Sequence, residues 1–251
     1  MATPWPPTAE DFAKGQWGPT IWDTNKPTVT AGDPTGKHVA YLQSVINRYN
    51  PPTPLLKVDG APGPKTAAAV AALQTRYGLE ATGIVDQATW DLIDWIAFSA
   101  YWRPVGRNKY KGWPVDDHGL SRESAFVECY VRANFPTIKL ARNWMVDRMQ
   151  RLSTTVRSEH AYGNALDFTR VTIAQGTAIA EFVKANAARW NVAQVIFNHN
   201  IAEPAGGRSK AATAVLWLWR KLRPTALQHV DHVHVTSSSG TLPAIQKGPA
   251  L

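Results

Sequence analysis

Cysteine is almost missing from this chain: its 251 residues include one, Cys129. A single thiol excludes an internal disulfide framework and a cysteine-rich zinc site. Phe126 to Val131 is an apolar helical context, so Cys129 reads as a packed thiol and not as a nucleophile. Long apolar runs are missing as well. No stretch of about 18 consecutive apolar residues occurs, so no membrane-spanning helix is expected. The chain starts Met-Ala-Thr-Pro-Trp-Pro-Pro, without a basic start or an apolar run, so a Sec-type signal peptide is not expected. No His-Glu-x-x-His motif, Gly-x-Ser-x-Gly elbow, Walker loop or dinucleotide fingerprint is present. No tight Lys/Arg run or DNA-reading motif is present either, which argues against nucleic acid as a partner.

What is there suffices for a folded protein. Hydrophobic residues make up 44% and charged residues 18%, which excludes wholesale disorder. The 11 Trp and 18 Pro are high counts and hint at carbohydrate or cell-wall contacts. Charge is uneven. The net charge is +8, and it is carried by residues 97–251, whereas residues 1–96 are slightly acidic. Such asymmetry suggests two units with different partners, the basic one suited to an anionic surface such as a cell wall.

Residues 1–36 are rich in Pro, Thr, Gly and Trp without a period, and read as an extended arm. Its Trp5, Trp17 and Trp22 favour an arm that packs on its own domain or on a partner. Residues 37–98 contain a half-repeat. Leu42-Gln43 is followed by Val58-Asp59-Gly60 and then Gly63-Pro64-Lys65-Thr66. Leu73-Gln74 is followed by Gly78-Leu79, by Thr82-Gly83 and by Asp86 with Thr89-Trp90. The glycines allow tight turns, and each Thr is expected to cap the helix that follows it, giving a three-helix unit.

This stretch resembles the peptidoglycan-binding domain common in bacterial and phage cell-wall hydrolases. The resemblance implies that Asp59, Gly60, Lys65, Thr66, Gln74, Thr82 and Gly83 belong to a wall-binding module. The insertion Asn50-Pro51-Pro52-Thr53-Pro54 lengthens its first loop.

Residues 99–129 read as a linker or lead-in. A helix is expected over 121–152, where Ile138, Ala141, Met145, Met149 and Leu152 recur at three- and four-residue steps. Further on, β-like segments are expected at Thr154–Arg157 and Ala165–Val171, then a helix over Ala174–Trp190 and a strand at Ala193–Phe197. Ala211–Leu222 leans helical, His229–Thr236 is a last strand, and residues 237–251 are a surface tail.

Two segments concentrate imidazoles and carboxylates: Ser158-Glu159-His160-Ala161-Tyr162-Gly163-Asn164-Ala165-Leu166-Asp167 and His229-Val230-Asp231-His232-Val233-His234-Val235. A catalytic zinc needs about three protein ligands and one open position. His160 and Asp167 offer a nitrogen and an oxygen, Gly163 lets the chain turn between them, and His234 completes the set. Asp231 and His232 are the candidate proton carriers. His232 shares a strand face with His234, whereas Asp231 can serve only if the strand starts or bends there. By the same alternation His229 is not a ligand, and His38, His118 and His199 read as structural or exposed. Asp116-Asp117 does not read as a glycosidase pair, because adjacent side chains diverge.

The two segments resemble the VanY-like zinc D-Ala-D-Ala carboxypeptidase and L-Ala-D-Glu endopeptidase family. Ser158, His160, Gly163, Ala165 and Asp167 match the fixed positions of Ser-x-His-x-x-Gly-x-Ala-x-Asp, and Asp231 with His234 match an acidic residue three before the last ligand. The resemblance implies zinc on His160, Asp167 and His234, Asp231 as general base, and a substrate contact at Ser158. It also implies an Arg near the substrate carbonyl, for which Arg157 and Arg151 are the candidates.

The expected class is α+β: a three-helix binding domain, then a peptidase domain over 130–236 with a small antiparallel sheet. The expected function is a zinc-dependent peptidoglycan hydrolase cutting the stem peptide, as a phage endolysin or tail-associated lysin acting on the bacterial wall. Other phage tail proteins are expected partners of the arm, and the virion tail or host cytoplasm is the expected location. The alternative is a catalytically inactive, wall-binding tail protein.

Overall fold

A computed structural model describes residues 26–34, 36–102, 105–112, 114–116, 119–135, 137–140, 158–204, 217–221 and 229–238. Most of the N-terminal arm, Asp117, His118, the expected helix beyond 140, Arg151, Thr154–Arg157 and the tail from 239 lie outside these residues. The class is α+β, with helices first and an antiparallel sheet after them. The chain divides into two units after Trp102.

The first unit holds α1 (Lys37–Tyr49), α2 (Pro64–Arg76) and α3 (Gln87–Tyr101). Leu42, Ile46, Val70, Leu73, Trp90, Ile93 and Ile96 form its buried core. The half-repeat has a physical basis in two buried glutamines. Gln43 Oε1 accepts from the amides of Asp59 and Gly60, at 3.1 and 2.9 Å, and its Nε2 lies 3.2 Å from Thr66 Oγ1. Gln74 repeats this, accepting from Gly83 N at 2.9 Å and lying 2.9 Å from Thr89 Oγ1.

The threonines therefore do not cap their helices, contrary to the sequence reading. Gly63 and Asp86 hold the N-cap positions, and the Asp86 carboxylate accepts from Thr89 N at 2.8 Å. The last residues of the arm complete this unit. Val29 and Val85 exchange backbone hydrogen bonds of 3.0 and 2.9 Å, and Trp90 Nε1 donates to Pro27 O at 2.8 Å. Lys26 Nζ meets Asp94 Oδ2 at 2.7 Å with both side chains buried.

The second unit holds a short ribbon, β1 (Gly106–Arg107) with β2 (Pro114–Val115), and α4 (Arg122–Asn134). Its sheet contains β3 (Lys139–Leu140), β4 (Ala165–Thr169), β5 (Val192–Phe197), β6 (Asn200–Pro204), β7 (Trp217–Lys221) and β8 (His232–Ser237). Residues 99–129 are thus more than a linker, since α3 runs to Tyr101 and α4 packs on β4 and β8. Helix α5 (Ile173–Ala185) covers one sheet face and opens on a capping box between Thr172 and Gln175. It rests Ile179 and Val183 inward, and Gly176 lies against the Phe197 ring, where a Cβ would overlap it. Trp190 stacks on Tyr130 of α4 at 4.6 Å.

The sheet order is β3-β4-β8-β5-β6-β7, with every neighbouring pair antiparallel. Three expectations change here. The helix ends at Asn134, and Lys139–Leu140 pairs with β4 instead. Residues 217–221, which leaned helical, form β7. The final strand starts at His232, three residues later than expected. Among the described residues, no helix is long and apolar enough to cross a membrane.

Candidate metal centre

Register places the site. On β4 and β8, Asp167 pairs with His234 and Thr169 with His232. Directly paired residues share a face, so Asp167, His232 and His234 project from the side opposite α5. His160 comes from elsewhere, a 3₁₀ turn at Glu159–Tyr162 just before β4. Gly163 ends that turn at φ +73°, in the left-handed region that glycine tolerates. It also needs to be small. A Cβ on it would overlap the carbonyl oxygen of Gly119, and its own carbonyl accepts from Ser121 N at 2.9 Å. The start of α4 thereby braces the turn that carries His160.

Three potential ligand atoms converge. His160 Nε2 lies 3.2 Å from His234 Nδ1 and 3.4 Å from Asp167 Oδ2, and His234 Nδ1 lies 2.8 Å from Asp167 Oδ1. Ligands held at about 2.0–2.1 Å around a tetrahedral ion stand roughly 3.3–3.4 Å apart, which the 3.2 and 3.4 Å spacings approach and the 2.8 Å contact, a hydrogen bond, does not. Among the described residues these three form the one group of His, Cys, Asp and Glu that could hold a metal ion.

The electrostatics favour an ionised Asp167 and a neutral His234. Burial opposes ionisation of Asp167, but hydrogen bonds from His160 and His234 outweigh it and hold its carboxyl well below the usual range. Burial pushes the His234 imidazole down to about 4, so its ring is neutral at neutral pH.

Asp231 stands just before β8, so strand alternation does not constrain it. Its side chain is exposed, and its Oδ1 lies 2.7 Å from His232 Nδ1. That hydrogen bond holds its carboxyl below the ordinary carboxylate value. His232 Nε2 is 3.9 Å from Asp167 Oδ1, beside the cluster. Ser158 occupies the N-cap position of the 3₁₀ turn, half-buried, and its carbonyl accepts from Ala161 N at 2.9 Å. Arg157 lies outside the described residues. Cys129 is half-buried on α4, and burial raises its thiol well above the ordinary value.

His229 is not among the three converging ligands, as expected, but it packs beside them. It is buried, at φ +45°, with its ring 4.6 Å from that of His232 and 5.4 Å from that of His234. His229 lies before the strand, so its place is set by the turn and not by strand alternation. The signal was the density of imidazoles in the segment itself.

In the first unit, Gly60, Thr66 and Gln74 are buried, and the Thr66 hydroxyl and the Gln74 amide are bonded inside the fold. They build the turns of the unit. Asp59, Lys65 and Thr82 are exposed, and Gly83 is half-buried. The Asp59 carboxylate accepts from the Ala61 amide, which helps to hold it below its ordinary value.

Comparison with known families bears on both units. Residues 35–93 match a family described as a putative peptidoglycan binding domain. This supports a peptidoglycan-binding domain in the first unit, with peptidoglycan as partner and association with the cell wall. Residues 130–214 match a family described as VldE, C-terminal domain, a span that includes His160 and Asp167 and ends before His234. That description names neither a metal nor a peptidase. No curated protein matches the chain.

Proposed function

We propose that this chain is a zinc peptidase that hydrolyses a peptide bond in the stem peptide of peptidoglycan, held on its polymer by the first unit. The observation that carries the proposal is the convergence of His160 Nε2, Asp167 and His234 Nδ1 from segments 67 and 74 residues apart. Burying such groups together is costly unless something compensates them, and a divalent cation would. A bound zinc lowers the pKa of its water to about 7 and polarises a carbonyl.

The chain's own residues divide the remaining work. His160, Asp167 and His234 would hold the ion. His232, beside them, would take a proton from the attacking water and return it to the leaving amine. Asp231 would orient that imidazole through the 2.7 Å contact. We favour His232 over Asp231 as the base, because a carboxylate held below its ordinary pKa accepts protons poorly near neutrality. A binding unit on the same chain raises the local concentration of stem peptides around the site.

The test is digestion of purified peptidoglycan by the wild type and by His160→Ala, with and without a chelator, read by mass spectrometry. The expected result is released D-Ala, or new stem-peptide ends, that vanish with the substitution or the chelator. The product also names the bond. A zinc-loaded protein that binds walls and releases nothing would replace this reading with the adhesive one.

A further inference from the structure

Taking the metal centre proposed above as given, we infer that Thr236 is a positioning residue: its hydroxyl accepts the Nε2 proton of His234 in the tautomer that leaves Nδ1 free for the ion. Thr236 follows His234 by two residues on β8 and therefore lies on the same face. It pairs with Ala165 on one side and Gln194 on the other, and it is 3% exposed. Its Oγ1 lies 3.0 Å from His234 Nε2, whereas His234 Nδ1 points at Asp167 Oδ1, 2.8 Å away.

A neutral imidazole has one proton for two nitrogens. With the proton on Nε2, the ring donates to Thr236, and the Nδ1 lone pair joins those of Asp167 and His160 around one point. That is the arrangement a cation needs. With the proton on Nδ1, the ring donates to Asp167, and Thr236 must donate to Nε2. A hydroxyl can do either, because it is both donor and acceptor. Thr236 therefore satisfies His234 with or without an ion. The tautomer changes between the two states while the proton count of His234 stays the same. Valine has nearly the same shape and can do neither. His160 lacks this device: its Nδ1 is buried and makes no hydrogen bond among the described residues.

The experiment uses the full chain as wild type, Thr236→Val and Thr236→Ser. Zinc affinity is read by competition with a chromophoric chelator, and the tautomer by long-range proton–nitrogen spectra of nitrogen-15 histidine. The zinc-loaded wild type is expected to carry the His234 proton on Nε2. Thr236→Val is expected to bind zinc about 10–100-fold more weakly, and Thr236→Ser to restore affinity to within about threefold. Valine binding as tightly as wild type, serine as weak as valine, or a proton on Nδ1 in the loaded wild type would each overturn the inference and leave the metal centre standing. A wild type that binds no zinc would remove the centre and this inference with it. The wild-type tautomer and the serine variant decide the matter even if the valine variant does not fold.

Discussion

Replacing Gly163 by alanine tests the link between backbone and site. The backbone there is at φ +73°, and an L-residue in that region costs about 1–2 kcal/mol. The added Cβ would overlap the Gly119 carbonyl oxygen and stand 3.0 Å from Ser121 N. Relieving that overlap means moving the turn away from α4 and weakening the Ser121 N to Gly163 O bond, worth roughly 1 kcal/mol. The sum is about 2–3 kcal/mol before relaxation. The turn that must move also carries His160, so the 3.2 and 3.4 Å spacings to His234 and Asp167 should open. Two assays on the full chain separate these effects. Urea denaturation of the metal-free protein reads the stability loss, and zinc titration reads the displaced ligand. The expected outcome is a lower midpoint together with at least tenfold weaker zinc binding. A variant with unchanged midpoint and unchanged affinity would refute the claim that α4 braces the turn. A midpoint shift with intact affinity would show that the turn relaxes without moving His160.

Other consequences are simpler to state. Lys26→Met leaves Asp94 buried beside Tyr41 without its cation, and is expected to destabilise the first unit by about 3–5 kcal/mol in calorimetry of the full chain. An unchanged transition would mean that the segment before residue 35 is not part of that fold. The metal-free protein should lose stability as pH falls from about 6.5 to about 4, by roughly 3 kcal/mol. The sign follows because unfolded His234 takes up a proton in this window while the buried ring does not. Below it, loss of the Asp167 carboxylate adds to the decline. Chelator-treated protein unfolded in urea at several pH values checks this, and His234→Asn should flatten the slope. In the cleavage assay, His232→Gln should lower the rate at least about 100-fold with zinc content unchanged, and Asp231→Asn less than about tenfold. The reverse ranking would return the role of base to Asp231.

Much of the centre was legible because its chemistry is written in short segments. Gly163 between His160 and Asp167 announced a turn, and two-residue spacing put His232 and His234 on one face. The three helices of the first unit were legible from periodicity and glycine. What sequence misjudged depended on contacts it does not display. Thr66 and Thr89 looked like caps, yet each is bonded to a glutamine many residues away. The expected helix over 121–152 overlooked Pro136. A residue before proline disfavours helix, and α4 ends one residue short of Phe135. Lys139–Leu140 became a strand through pairing with β4, and Trp217–Lys221 through pairing with β6. His229 sits beside the cluster through the turn before β8, a position that strand alternation does not describe.

Strand β8 is the last strand in chain order among the described residues, yet it lies inside the sheet, between β4 and β5. It also supplies His234. A chain emerging from the ribosome can form α4, the turn with His160 and the strand with Asp167 long before the partner of Asp167 exists. Until β8 inserts, β4 and β5 have exposed edges, and His160 and Asp167 lack His234. Completion of the sheet and convergence of His160, Asp167 and His234 are one event, and a copy truncated before β8 lacks that convergence.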